Sequence, residues 1–229
     1  MIPIIFGILL LIVMVAPHFL ARSAINHHSE PVENLPGTGG QLAKHLVEEY
    51  GLTGVVVEQF NGGDHYDPKE KAVRLSSNSM NGKSLSAIAV AAHEFGHALQ
   101  DYEGYPPLRS RTKMVAFAQQ AEKIGSVAML AIPVILGITR SPYATIVVVV
   151  LGLVSLGSNA LVHLITLPVE LDASFGRALP ILKKGGYITG KDEETAVRKI
   201  LKACAFTYLA NSLLSMVNVW RWVTIILRR

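Results

Sequence analysis

Apolar residues in this chain gather into long runs rather than recurring at the spacing of an amphipathic helix. Residues 2–21 are apolar apart from His18, and residues 144–167 include the stretch Ile-Val-Val-Val-Val-Leu-Gly-Leu-Val. Residues 203–227 form another run, closed by Arg228 and Arg229. A shorter run, 124–138, contains Pro133 and reaches spanning length only if it extends back through Met114, across Gln119, Gln120, Glu122 and Lys123. A membrane-crossing helix needs about 20 mainly apolar residues. The pattern therefore predicts about four transmembrane helices: 2–21, a helical hairpin within 113–167, and 203–227. The alternative for the short run is a buried helical hairpin. The first run has no positive charge ahead of its apolar stretch, and Ala21-Arg22-Ser23-Ala24 makes a poor cleavage site, so it reads as an uncleaved anchor.

The polar stretches carry shorter elements. Ser29 to Gly40 is rich in Pro, Gly, Glu and Asn and reads as a linker. Gln41 to Tyr50 places Leu42, His45, Leu46 and Tyr50 along one side of a helix, with Gly51 positioned to end it. Thr53 to Gln59 is β-branched and reads as a strand, Asn61-Gly62-Gly63-Asp64 as a turn, and Ala72 to Ser76 as a second strand. Leu85 to Leu99 is rich in Ala and other helix formers and reads as a mostly buried helix. Residues 22–112 thus form a small α+β unit. Residues 168–202 read as helical with a break at Gly185-Gly186. The fold class expected is mainly α, polytopic, with this small α+β unit on the cytoplasmic side.

Charge sets the orientation within that expectation. The net charge of +4 is modest and does not suggest nucleic-acid binding. Lys and Arg are concentrated between the first and second predicted spans and between the third and fourth. The opposite side holds only Arg140, Arg228 and Arg229. The positive-inside rule then puts both large loops in the cytoplasm and both termini outside a multi-pass cell-membrane protein. The chain has one cysteine, Cys204, so it forms no intramolecular disulfide and no Cys-based zinc site.

The chemistry is concentrated in Ala-Ala-His-Glu-Phe-Gly-His-Ala-Leu-Gln, residues 91–100. His93 and His97 are four residues apart, so on a helix both imidazoles reach one metal ion from one face. Glu94 is offset by one residue, poorly placed as a ligand and well placed to take a proton from a metal-activated water. Two His and an acid on an otherwise apolar helix would be costly to bury without a metal.

A catalytic zinc usually has three protein ligands and one open position. Glu103 lies six residues after His97, but the extended motif that would use it needs a Gly where this chain has Gln100. Leu167-Pro168-Val169-Glu170-Leu171-Asp172-Ala173-Ser174 is the better source. Glu170 and Asp172 are two residues apart and would face nearly opposite ways on a helix, so both cannot be ligands; the alternative is that both only mark the membrane boundary. Glu170 is assigned as ligand, and Asp172 as an acceptor that orients an imidazole or caps a helix. His163 lies in the apolar run seven residues before Glu170, and an ionisable group in such a run is a functional candidate.

The His-Glu-Phe-Gly-His-Ala-Leu-Gln segment, Asp64-His65-Tyr66-Asp67-Pro68 with Val73-Arg74-Leu75-Ser76, and Leu-Pro-Val-Glu-Leu-Asp-Ala-Ser together resemble the bacterial membrane family of putative neutral zinc metallopeptidases, the YugP type. The resemblance covers nearly the whole chain. That family is similar to the HtpX-like and CAAX-processing membrane proteases, whose third ligand is a Glu on a later helix, and this likeness supports Glu170. The chain departs from their E-x-x-x-D pattern, because Asp172 comes two residues after the Glu. The resemblance also suggests Val73 to Ser76 as an edge strand able to hold an extended peptide, with an ordinary hairpin as the equal alternative. His65 and Tyr66 are weighed as partners for charge on the scissile carbonyl, and neither is assigned.

The sequence therefore predicts a membrane zinc (Zn2+) metallopeptidase, gluzincin-like, with His93, His97 and Glu170 as metal ligands and Glu94 as general base. Its active site would face the cytoplasm near the bilayer surface. The partners expected are a peptide or membrane-protein substrate and the lipid bilayer; the oligomeric state is left open. The alternative is a membrane scaffold that binds zinc or peptide without turnover.

Overall fold

The structure is a computed structural model that describes residues 19, 22–139 and 142–206, with the backbone alone for part of the helices between 126 and 164. A short helix, α1 (22–27), leads through the Pro- and Gly-rich linker to α2 (Gly39–Glu49). The start of α2 is fixed by a capping box: Thr38 Oγ1 accepts from the Gln41 N–H, and Gln41 Oε1 accepts from the Thr38 N–H. Gly51 follows it with φ +63°, the left-handed conformation that ends many helices, as the sequence suggested.

The sheet has three strands where the sequence reading gave two. β1 (Val56–Gln59) runs parallel to β3 (Ala72–Leu75), and β2 (His65–Asp67) pairs antiparallel to β3, giving the order β1-β3-β2. β3 is thus central, not an edge, which corrects the placing of Val73 to Ser76. Its composition explains why: Ala72, Val73 and Leu75 are all buried, whereas β1 is largely exposed. The third strand arises because Asp67 Oδ1 accepts from the Lys69 and Glu70 N–H groups, turning the chain back straight after His65-Tyr66-Asp67. Arg74 stitches the sheet crosswise, donating from Nε to Glu58 on β1 and from Nη1 to Asp67 on β2.

A short helix, α3 (Ser77–Asn81), precedes the motif helix α4 (Leu85–Tyr102). Ser84 caps α4 by accepting from the Ala87 N–H, and every residue from Ser86 to Gln100 is buried. Its alanines allow close approach on all sides, to α2, to the sheet and to the segment that follows α6. Phe95, Leu46, Leu75, Ile88, Leu182 and Ile200 are the bulkiest fully buried apolar side chains of the core around it.

α5 (Pro106–Thr139) and α6 (Pro142–Leu171) form a long hairpin, each helix packing chiefly against the other. α6 continues without interruption into a π-helical segment (Asp172–Ala178), then α7 (Leu179–Lys184). Gly186, at φ +69°, breaks the chain before a last described helix, α8 (191–206).

Among the described residues no helix is long and apolar enough to cross a membrane. This corrects the polytopic fold class: the chain is mainly helical with a small three-stranded sheet. The run at 113–138 belongs to α5, which carries Arg109, Arg111, Lys113, Glu122 and Lys123. The run at 144–167 is the shaft of a helix packed along α5 and continuing to Glu170, with Ile146, Val147, Val150 and Val154 left exposed. The remaining two predicted spans, 2–21 and 203–227, lie outside the described residues apart from 19 and 203–206. The orientation drawn from four spans, and a bilayer as partner, lose that support.

Candidate metal centre

α4 places His93 and His97 one turn apart on the same face, their rings edge-to-face with centroids 4.8 Å apart. Glu170, at the end of α6, comes to meet them. Its Oε2 lies 3.3 Å from His93 Nε2 and 3.2 Å from His97 Nε2. One donor atom from each of the three residues falls within 4.8 Å of the others. All three side chains are buried, Glu170 completely.

Two features of the local chain make this meeting possible. Gly96 sits between the two histidines, and a Cβ there would lie 2.7 Å from the carbonyl oxygen of Ala173. The absence of a side chain lets the π-helical segment run directly over α4. The wider π turn also frees backbone groups and re-aims side chains. Glu170 and Asp172, expected on opposite faces, both reach α4: Glu170 touches the histidines, and Asp172 accepts from Gln100 Nε2 at 2.8 Å.

The outer nitrogens of both imidazoles are committed. Gln100 Nε2 donates to the Val169 carbonyl at 2.9 Å and to Asp172, which fixes the orientation of its amide. Gln100 Oε1 therefore accepts from His97 Nδ1 at 3.0 Å. Ser174 Oγ has one hydrogen, given to the Leu201 carbonyl at 3.2 Å, so at 3.0 Å it accepts from His93 Nδ1. With both Nδ1 atoms acting as donors, both Nε2 atoms are directed at the same carboxylate oxygen. Either each carries a second proton, as imidazolium, or the three acceptors converge on a shared cation. Glu170 Oε1, fully buried, makes no hydrogen bond. The donor set of two imidazoles and one carboxylate is that of a catalytic zinc site. By these observations the residues fit the metal.

The electrostatics are those of a charged cluster out of water. Burial pushes the Glu170 carboxyl up, yet the charge of His97 and hydrogen bonds to both histidines hold it well below the usual carboxylate range. Glu94 moves the other way. Burial pushes it up to about 7, with Glu170 and Asp64 adding to the rise against His93 and the Tyr66 backbone N–H. Glu94 and His97 line a cleft of about 300 Å³ together with His65, Tyr66, Leu108 and Arg111. One wall is β2, the other the first turns of α5.

Residues weighed in the sequence fall as follows. Glu103 ends α4 and pairs with Arg177 at 2.7 Å, away from the histidines. Asp172 orients His97 indirectly, through Gln100, and is itself held by Arg177 Nε at 2.8 Å. The side chain of His163 lies outside the described residues. Cys204 packs against the core, and burial, aided by Glu94, Glu170 and Asp64, pushes its thiol up. Gln100, Ser174, Gly96 and Arg111 were not singled out in the sequence. Gln100 alone had a local signal, standing one helical turn after His97.

The family model described as "putative neutral zinc metallopeptidase" matches residues 3–227, almost the entire chain. The chain belongs to this family. It is also 36% identical over 211 residues to the "putative membrane protease YugP" of Bacillus subtilis (strain 168), covering 91% of this chain and 89% of that relative. No solved structure matches it. Membership makes zinc the cofactor of the family's reaction, and the buried His93, His97 and Glu170 group is positioned to bind a metal ion.

Proposed function

We propose that this chain hydrolyses peptide bonds at the centre just described, with His93, His97 and Glu170 holding zinc and Glu94 acting as general base. The observation that carries the reading is the position of Glu94. It lies beside the three converging donors, on the wall of an open cleft. A group poised there both accepts and returns a proton near neutral pH. A purely metal-storing site has no use for such a group.

Zinc, when bound, supplies Lewis acidity that makes water a competent nucleophile near neutral pH. The chain does the rest. Glu94 takes the proton of the attacking water as oxygen bonds to the carbonyl carbon, and hands it to the departing amine nitrogen as the C–N bond breaks. Gln100 and Ser174 hold the imidazoles in register through both steps. Among the described residues β2 pairs with β3 on one side only, and its His65 and Tyr66 line the cleft. That edge suits an extended peptide held by main-chain pairing. The Bacillus relative's name speaks of a membrane protease, so membrane-protein and membrane-associated peptides are the substrates to test first.

The test is Glu94→Gln in the full chain, assayed against a mixed peptide library and for zinc content. Stoichiometric zinc with cleavage reduced about 100- to 10,000-fold is the expected result. Cleavage at the wild-type rate would sink the mechanism. A wild-type protein that holds zinc but cleaves nothing would favour the scaffold alternative.

A further inference from the structure

We propose that Arg111 is a further catalytic residue of this site, binding the carbonyl oxygen of the scissile peptide bond and stabilising the negative charge that develops on it. This rests on the peptidase reading above.

Water attack moves the carbonyl π electrons onto oxygen, and a pre-placed cation in a buried site stabilises that charge more than water can. Besides Glu94 and His97, the residues lining the cleft with a side-chain donor are Tyr66, His65, Lys69, Thr112, Gln119 and Arg111. Thr112 gives its hydrogen to the Leu108 carbonyl, and Lys69 and Gln119 are exposed at the rim. Tyr66 is spent. Its hydroxyl hydrogen goes to Asp101 Oδ2 at 2.8 Å, and the same oxygen is held by Lys71. His65 is engaged at the cleft's edge, with Nδ1 on the Gly63 carbonyl and its ring edge-on to Phe60 at 5.2 Å.

Arg111 is placed differently. It comes from the second turn of α5 and faces Glu94 and His97 across the cleft. Its Nη1 lies 3.4 Å from Glu170 Oε1, so the guanidinium stands one carboxylate's width from the three donors. That contact is an ion pair without hydrogen-bond alignment, since Glu170 Oε1 makes no hydrogen bond. An arginine whose task was only to hold Glu170 would be expected to bond it, as Arg177 bonds Asp172. Guanidinium is charged at any working pH and presents five donors in a planar fork, enough to face Glu170 and a substrate oxygen together.

The experiment uses the zinc-loaded full chain, with Arg111→Met, which keeps an unbranched stem without the charge, and Arg111→Lys. Zinc content is measured first. Binding is then compared by calorimetry for two probes with the same peptide sequence. One is a phosphoramidate, whose tetrahedral phosphoryl oxygens mimic the charged carbonyl oxygen. The other is a mercaptoacyl peptide, whose thiolate meets the metal and leaves that position empty. The expected result is stoichiometric zinc in both variants, a loss of about 100-fold or more in phosphoramidate affinity for Arg111→Met, partial recovery in Arg111→Lys, and thiol affinity within about 3-fold of wild type.

Equal losses for the two probes, or loss of zinc with Arg111→Met, would overturn the proposal and leave Arg111 a positioning residue for Glu170. Unchanged phosphoramidate affinity would overturn it outright. Wild-type protein that takes up no zinc, or that binds neither probe when loaded, would overturn the peptidase reading itself, a failure distinct from either of those.

Discussion

The metal centre has two halves built on opposite terms. On α4 the donors are regular: two histidines one turn apart on an ordinary, fully buried helix, each fixed by the 3.6-residue period. On the α6 side everything is irregular. The third donor follows Pro168 by two residues, a π-helical segment begins two residues later, and the backbone presses against a glycine in the partner helix. The regular half can be written as a motif. The irregular half completes the site only through a tertiary contact. In the proposed centre the donor set thus closes only when the π segment is held against α4.

The largest effect should follow from breaking the irregular half at its tip. Glu170→Ala should lower zinc affinity by more than the roughly 10- to 100-fold that loss of a ligand's supporting partner brings, whereas Asp172→Ala should fall within or below that range. Zinc titration against a competing chelator measures both. An Asp172 effect larger than that of Glu170 would exchange their roles.

Protons sharpen the comparison next. In the zinc-free protein, Glu94 has its pKa raised from 4.5 to about 7. A carboxyl raised in this way is tolerated in the fold at low pH and destabilises it progressively as pH rises from 4.5 through 7. The full window amounts to roughly 3 kcal/mol. Glu94→Gln should remove that part of the pH dependence, seen as a flatter denaturant midpoint between pH 5 and 8 (about the span of the titration). An unchanged slope would mean that the carboxyl is solvated in the metal-free state.

The smallest expected effects concern the two orienting groups. Gln100→Ala and Ser174→Ala should each weaken zinc by roughly 10- to 100-fold while leaving the ligands in place. Gln100 serves α4 from within the same helix, whereas Ser174 reaches His93 from the π segment. If the α4 half is the rigid one, Ser174→Ala should disturb zinc and thermal stability together, and Gln100→Ala mainly zinc. Reversed behaviour would show the rigidity to lie on the other side.

The sequence made the α4 half legible down to the residue, because His93, Glu94 and His97 are joined by nothing more than helical periodicity. It also pointed to Glu170, through the acid pair after a long apolar run. It could not show that Asp172 would reach α4 as well, because that depends on a π turn whose wide spacing leaves no periodic trace. The β2 strand escaped for a similar reason: three residues, with His and Asp among them, carry no alternation strong enough to read. The polytopic reading fails among the described residues, where no helix is long and apolar enough to cross a membrane. Apolar length alone did not distinguish a span from α6, which packs along α5 and leaves Ile146, Val147, Val150 and Val154 exposed.

Gly96 gives the motif a third kind of information. In the proposed mechanism His93 and His97 specify which atoms meet the metal, and Glu94 which proton moves. Gly96 specifies a distance, since the hydrogen in place of a side chain is what admits the Ala173 carbonyl. It works as a gauge between two pieces of chain far apart in sequence. Any larger residue there would leave every ligand intact on α4 and lift the third donor away from it. In this fold the variable positions of H-E-x-x-H are therefore not free, and a chain could keep the visible motif while losing the site.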